Sequence, residues 1–292
     1  MTASGRAAAV APWLFVVLWS TGFIVARYGT DDADPLAFIS VRLAAAAVVL
    51  GAVAVATRAP RPDRSSIGWS MLAGFGLHAL YLGGVFVAVG RGMPSGVSAL
   101  LAGLHPVVTT VAARALLSER VSRRQWVGIG LGVGGVGVVV VDRLGAGVSG
   151  GVDAVTLTAS AVSIAGMCAG TLVQRRHGAS APLLWSTVWQ YASSAAVVGL
   201  AAAVTGWRFE VTTRSLLALA WAVVVLSIAA VLIMLWLLQR HAAVRVSSLF
   251  FLTPALSAFE GAVLFGERLP LAAVVGLAVA LVGVALAVRP TT

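Results

Sequence analysis

The stretch 246-VSSLFFLTPALSAFEGAVLFGERL-269 decides how this chain folds, because it sets a carboxylate, Glu260, inside a run that is otherwise almost wholly apolar. A second stretch, 97-VSALLAGLHPVVTTVAARALLSERV-121, has the same layout: a proline and, thirteen residues on, the pair Glu-Arg. Working outward, the chain of 292 residues is 60% hydrophobic and only 10% charged, whereas a soluble domain carries about 25% charged residues. Its mean hydropathy is +0.99. That is the composition of an integral membrane protein. The polar gaps, such as 57–65 and 142–153, are loop-sized, so one membrane unit accounts for the chain.

A spanning helix needs about 20 mostly apolar residues. Ten candidate spans follow, near 11–28, 36–57, 67–89, 94–117, 124–141, 152–173, 182–205, 215–238, 242–264 and 271–288. The short gaps at 90-GRGMP-94 and 239-QRHA-242 read as tight turns. The first 25 residues, with Arg6 ahead of an apolar run, mimic a secretory signal, but further apolar runs continue along the chain, so the run reads as a first span. With the N-terminus inside, the inner segments hold twelve arginines and the outer ones six (Arg27, Arg91, Arg143, Arg208, Arg214 and Arg268). The positive-inside bias predicts both termini in the cytoplasm of a bacterial inner membrane.

The net charge of +10 belongs to arginines at span ends, where orientation explains it, and nucleic acid is not expected as a partner. All twenty basic residues are Arg, read as GC-rich codon usage. Cys168 is the single cysteine and can form no internal disulfide.

Shifting the chain by 148 residues lays Gly22 on Gly170, Arg27 on Arg175, Pro106 on Pro254, Glu119-Arg120 on Glu267-Arg268 and Gly128 on Gly276. Each copy holds five spans, and an odd number of crossings inverts the second copy. The expected organisation is a first five-helix repeat at 1–141, an extracytoplasmic linker at 142–151 and a second repeat at 152–292. Inverted repeats are the architecture of secondary transporters, where two similar halves exchange conformations around a midplane site.

Nearly the whole chain also resembles a known family. The residues 18-LWSTGF-23, the arginine of 40-SVRLAAAAV-48, 96-GVSALLAGLHPVVT-109 with 118-SERVSRRQWVGIGLGVGGV-136, and the echo 253-TPALSAFEGAVLFGERLPLAAVVGLAVALVGV-284 are similar to the EamA-type branch of the drug/metabolite transporter superfamily. The resemblance implies an all-α bundle of ten transmembrane helices. It also implies a central cavity built mainly from spans 1, 3, 4, 6, 8 and 9. The characterised members export amino acids and related metabolites, aromatic amino acids in the YddG-like exporters.

Glu260 is the sharpest candidate for chemistry, since a charge at the bilayer centre costs at least about 2.5–3.5 kcal/mol on insertion scales. Thr253, Ser257 and Glu260 form one polar stripe on the ninth span. One reading has Glu260 neutralise a substrate ammonium or exchange a proton; the other has it near a helix end, reaching headgroups or pairing with an Arg. The repeat maps Thr253 onto His105, Ser257 onto Thr109 and Glu260 onto Ala112, so the halves share position without sharing chemistry. His105 precedes Pro106, whose missing N–H loosens its span. His78 lies near Tyr81 in the third span, and either histidine is a candidate for proton coupling or for a hydrogen-bonded packing role.

Arg42 corresponds to Gln190 and is expected to be a structural anchor snorkelling to the outer interface, against Asp31, Asp32 or Asp34. Trp19, Trp236 and Phe251, on the cavity-forming spans of the family, join His78, Tyr81, His105 and Glu260 as candidate substrate contacts; Arg42, Pro106 and Pro254 are given structural roles. An aromatic wall with few polar groups suits amphipathic organic cargo.

The run 132-GVGGVGVVVVD-142 mimics a dinucleotide fingerprint without its βαβ context. Gly128 with Gly132, the overlapping Gly130 with Gly134, and Gly276 with Ala280 fit small-residue helix packing instead. No catalytic set, metal cluster or cofactor motif appears, so the expectation is a non-enzyme. The expected function is a secondary exporter of small organic metabolites, amino acids first, aromatic or hydrophobic ones included. Its partners are a small-molecule substrate and membrane lipid, with protons as a candidate coupling ion, in a monomer or homodimer. A multidrug exporter of cationic compounds is the alternative, and a non-transporting membrane protein a more remote one.

Overall fold

The computed structural model describes residues 3–117, 122–145, 151–178, 181–233, 252–267 and 271–288. Among these the chain is almost wholly helical, with one isolated antiparallel bridge between Ala33 and Phe209. The helices are α1 (Ala3–Asp31), α2 (Pro35–Ala56), α3 (Arg64–Gly90), α4 (Ser95–Ala102), α5 (His105–Leu117), α6 (Arg123–Gly145), α7 (Ala154–His177), α8 (Leu183–Thr205), α9 (Thr213–Ile233), α10 (Thr253–Phe265) and α11 (Leu271–Val288). Eight of the described stretches are long and apolar enough to cross a membrane, the pair α4–α5 counting as one. α10 and the core of α11 are shorter apolar helices at the places of the ninth and tenth expected spans. The end of the eighth expected span, with Trp236, and the earlier part of the ninth, with Phe251, lie outside the described residues.

Helix ends are set by local chemistry. Asp34 accepts the N–H groups of Leu36 and Ala37 ahead of Pro35 at the start of α2, and Thr212 with Ser215 forms a capping box on α9. Asp63 caps α3, and its hydrogen bonds from Ser66 hold that carboxyl below its usual range. Gly266 closes α10 in the left-handed conformation, at φ 64°.

The expected fourth span is interrupted: α4 stops at Ala102, a turn covers Gly103 and Leu104, and α5 restarts at His105. Pro106 falls in the first turn of α5, where its missing N–H would have had no partner anyway. Two other helices widen rather than break. α3 is π-helical over Phe75–Leu80 and α9 over Trp221–Ala229. A shift of 148 carries 75–80 onto 223–228, so the two wide segments are repeat counterparts.

The chain divides into two compact units that cut across the sequence halves. The first comprises residues 1–24, 92–154 and 229–292, the second 25–91 and 155–228. In the first, α6 packs along α11 and α4 along α10; in the second, α2 packs along α8. α2 with α8 and α6 with α11 are repeat counterparts under the shift of 148, whereas the counterpart of α10 is α5 and α4 meets α10 only as part of the corresponding fourth and ninth expected spans.

The α6–α11 seam is glycine-built. A Cβ on Gly135 would lie 2.5 Å from the Gly276 carbonyl oxygen and the Ala280 nitrogen, while Gly283 abuts Gly128 and Gly132. Gly276 and Ala280 thus pack as the sequence implied, but Gly130 and Gly134 face open space. The working stripe is Gly128, Gly132 and Gly135, three to four residues apart and on one helical face.

Loop contacts follow the expected alternation of crossings. In the second unit the α1–α2 and α8–α9 connections hydrogen-bond through Asp34 N–H to the Arg208 carbonyl (2.8 Å) and Glu210 N–H to the Asp32 carbonyl (2.9 Å). Farther along the chain, Trp185 at the start of α8 donates to the Ala59 carbonyl beyond α2.

Candidate functional site

In the first unit, α10 presents the stripe that the sequence predicted, and it meets α1. The Ser257 hydroxyl donates to the backbone carbonyl of Ser20 (3.0 Å), and the Ser20 hydroxyl lies 2.7 Å from Glu260 Oε1 and 2.9 Å from the Val17 carbonyl oxygen. Serine has one proton to give, so these two acceptors compete for it. With Glu260 ionised, Ser20 donates to the carboxylate. With Glu260 protonated, the same serine can accept from the acid and donate to Val17.

Glu260 Oε2 and Thr253 Oγ1 are buried with no hydrogen-bond partner among the described residues. Glu260 is half-buried and has no arginine partner among those residues, so its ionic charge is uncompensated there. Trp19, beside Ser20, packs with Leu256, Ile233 and Ala230 around Phe15 and Val16, and its ring centroid is 5.3 Å from that of Phe15. His105 is farther out of this pattern: its Nδ1 lies 3.3 Å from the Ala102 carbonyl oxygen, within the α4–α5 turn. Pro254 comes against Gly103 of that turn, where a Cβ would be 3.3 Å from the proline Cγ.

The second unit holds the other candidates in one buried polar network. His78, in the π-helical part of α3, has Nε2 3.2 Å from Gln190 Oε1, and its ring meets Tyr191 edge-on at 4.7 Å between centroids. Gln190 also donates to Gln174 Oε1 (3.1 Å) and Ser186 Oγ (3.2 Å), so each of its donors and its carbonyl has a partner. Arg42 Nε donates to Ser227 Oγ (3.1 Å), and the Tyr191 hydroxyl donates to the Ser227 backbone carbonyl (3.3 Å). That carbonyl belongs to the π-helical part of α9, where the widened turn frees backbone oxygens. Tyr81 is buried within electrostatic reach of Arg42.

Arg42 does not sit where the sequence placed it. It is 6% exposed rather than snorkelling, and the aspartates offered as partners are used elsewhere. Asp31 pairs with Arg214, Asp32 accepts from the Thr212 hydroxyl and Asp34 caps α2. Ser20, Ser227, Tyr191 and Gln174 are the polar residues that sequence reasoning missed. Each is a neutral side chain with no spacing pattern of its own; only a repeat-level match, as between Arg42 and Gln190, offered a signal. Among the described residues no group of three or more His, Cys, Asp or Glu side chains is placed to hold a metal.

Comparison with known proteins fits this geometry to a family. The model of the EamA-like transporter family matches residues 8–141 and again 155–289. The chain belongs to the EamA-like transporter family. Among relatives of this EamA chain, a protein of Salmonella typhimurium named as a probable amino-acid metabolite efflux pump is 26% identical over 263 residues, covering 88% of this chain and 86% of that protein. The Escherichia coli protein YedA, named as an uncharacterized inner membrane transporter, is 29% identical over 120 residues, 41% of this chain and 39% of its own length. One solved crystal structure superposes with a TM-score of 0.63 at 19% identity over 97% of each chain, a likeness of fold. The EamA-like family is one of transporters, and this member is a multi-pass, all-α membrane protein.

Proposed function

We propose that this EamA-family chain is a secondary transporter that exports small organic metabolites from a bacterial cell across the inner membrane, amino acids or their derivatives first, aromatic or hydrophobic ones included. The observation that carries the reading is the pairing of repeat counterparts, α2 with α8 and α6 with α11. Two similar halves that pack counterpart on counterpart can exchange roles, which is what alternating access demands. The Salmonella relative, matched along most of both chains, supports the choice of amino-acid metabolites as cargo.

In this reading ten helices cross with both termini in the cytoplasm, and the driving force is the substrate gradient or protons. Glu260 handles positive charge, either a substrate ammonium or a proton, because one of its oxygens is buried without a partner among the described residues while the other is held by Ser20. Trp19, His78, Tyr81, His105, Trp236 and Phe251 are the further candidate substrate contacts of this reading. A second reading, export of cationic compounds by the same fold, is favoured by Glu260 alone.

The test is counterflow in proteoliposomes with radiolabelled amino acids, with and without an imposed pH gradient, for the native chain and Glu260→Gln. Saturable amino-acid flux that the substitution changes is the expected result. Folded protein that moves cationic drugs and no amino acid would replace the first reading with the second.

A further inference from the structure

Arg42 poses a charge problem that the second unit does not solve internally. The guanidinium is permanently charged, and the residue is more than nine-tenths buried. Its one hydrogen bond among the described residues runs from Nε to the neutral hydroxyl of Ser227. The second unit contains five acidic residues, Asp31, Asp32, Asp34, Asp63 and Glu210. All are committed at helix ends and connections: the first three as described above, Asp63 as the cap of α3 and Glu210 with Arg208.

A buried cation without a counter-charge is costly, and buried ions in proteins are as a rule paired. What surrounds Arg42 is neutral and polar. Tyr81, Tyr191 and His78 lie within electrostatic reach, Ser227 accepts its Nε, and Gln190 holds His78. Nε is thereby fixed, which aims the guanidinium, while the two terminal amino groups make no hydrogen bond among the described residues. Two parallel N–H donors at one end of a guanidinium are the complement of a carboxylate. The site offers one cation, which matches a monoanion; a phosphate dianion calls for a cluster of them.

We propose that Arg42, oriented by Ser227, is the carboxylate-binding group of this transporter, so that its cargo carries one carboxylate whose partner in the protein is this side chain. The inference rests on the reading of the chain as a transporter of small organic solutes, but not on those solutes being amino acids. The repeat gives it a structural logic. Ser227 and His78 sit in the two π-helical segments, which are counterparts, whereas Arg42 has Gln190 for its counterpart. One half therefore brings a charge where the other brings an amide, as recognition of a single anionic end requires.

Four probes test this with the purified full chain: phenylalanine, 3-phenylpropionate, phenylalaninamide and phenethylamine, with binding measured by titration for the native protein, Arg42→Gln and Arg42→Lys. The expected result is that Arg42→Gln weakens both carboxylates by roughly tenfold or more, the least that loss of a charge-assisted pair produces. Arg42→Lys should be intermediate, because it keeps the charge without the fork. The amide and the amine should bind the native chain and Arg42→Gln alike. Equal weakening of acid and amide, or no weakening of either acid, overturns the proposal.

If the variants do not fold, the native chain decides. A tenfold or greater preference for phenylalanine over its amide supports Arg42 as a carboxylate site, whereas equal affinity, or no binding of either carboxylate, overturns it. Binding of 3-phenylpropionate with refusal of phenylalanine would sink the amino-acid reading and leave this inference standing. Equal binding of phenylalanine and its amide would do the reverse.

Discussion

The two compact units are built around opposite charges. The first carries the carboxylate of Glu260 against Ser20; the second carries the buried guanidinium of Arg42 inside a network of serine, tyrosine, histidine and glutamine. The repeat makes the contrast sharper, because Glu260 has Ala112 for its counterpart and Arg42 has Gln190. At each charged position the other copy of the repeat carries a neutral residue. Each unit thus holds one of these charges, neither with an ionic partner among the described residues.

The largest expected effect breaks the seam of the first unit. Gly135→Val pushes a side chain into the α11 backbone at a site where even a Cβ is too close, and backbone cannot step aside as a flexible side chain can. Overpacking of this kind costs about 1–3 kcal/mol or more, and the expected outcome is loss of the monodisperse peak in size-exclusion chromatography or a clear fall in melting temperature. Gly134→Val, one residue away and facing open space, should leave both readouts as they are. Equal behaviour of the two variants would show that α6 and α11 do not pack on the Gly128, Gly132 and Gly135 face.

A second, smaller effect separates the acid from the base. Glu260→Gln keeps an oxygen that Ser20 can bond, yet it can neither ionise nor carry a proton. Flux should therefore lose its response to an imposed pH gradient, with an expected drop of roughly tenfold in the gradient-driven part if the lost interaction has the strength of a charged hydrogen bond. Arg42→Gln, by contrast, should weaken carboxylate cargo and leave the response to pH in place. It also makes the two repeats alike at that level, with Gln in both. Should Glu260→Gln flux still follow the pH gradient, the proton passes elsewhere and the contrast between the units is one of cargo alone.

Much of this frame was legible in the sequence. The spacing of Pro106 and Pro254, each thirteen residues before Glu-Arg, exposed the repeat, and the family model matches the chain twice, over 8–141 and 155–289. The stripe of Thr253, Ser257 and Glu260 was also readable, since a polar group every three or four residues in an apolar helix has one face to occupy.

What failed was the assignment of partners. Arg42 lay near aspartates along the chain, and sequence distance favoured them, but helix capping had a prior claim on Asp34 and the N-terminal end of α9 on Asp31 and Asp32. Its actual partner, Ser227, is 185 residues away, and no local pattern encodes such a contact. The π-helical segments were equally hidden, because a single widened turn leaves the apolar composition of a span unchanged.

The finest test lies within the second unit, in the order of effects at Ser227. Its hydroxyl accepts from a charged donor, Arg42 Nε at 3.1 Å, whereas its backbone carbonyl receives the neutral Tyr191 hydroxyl at a longer 3.3 Å. Hydrogen bonds to charged groups contribute about 1.5–3 kcal/mol and neutral ones about 0.5–1.5. Ser227→Ala removes the first and should weaken binding of a carboxylate probe by about tenfold, because the guanidinium loses its orientation without losing its charge. Tyr191→Phe removes the second, keeps the ring against His78, and should change the same affinity by no more than about threefold. If Tyr191→Phe proved the more damaging, orientation of the site would reside in the π-helical backbone of α9 and not in the serine side chain, and the comparison between the units would become one of an acid held by a hydroxyl against a base held by a helix.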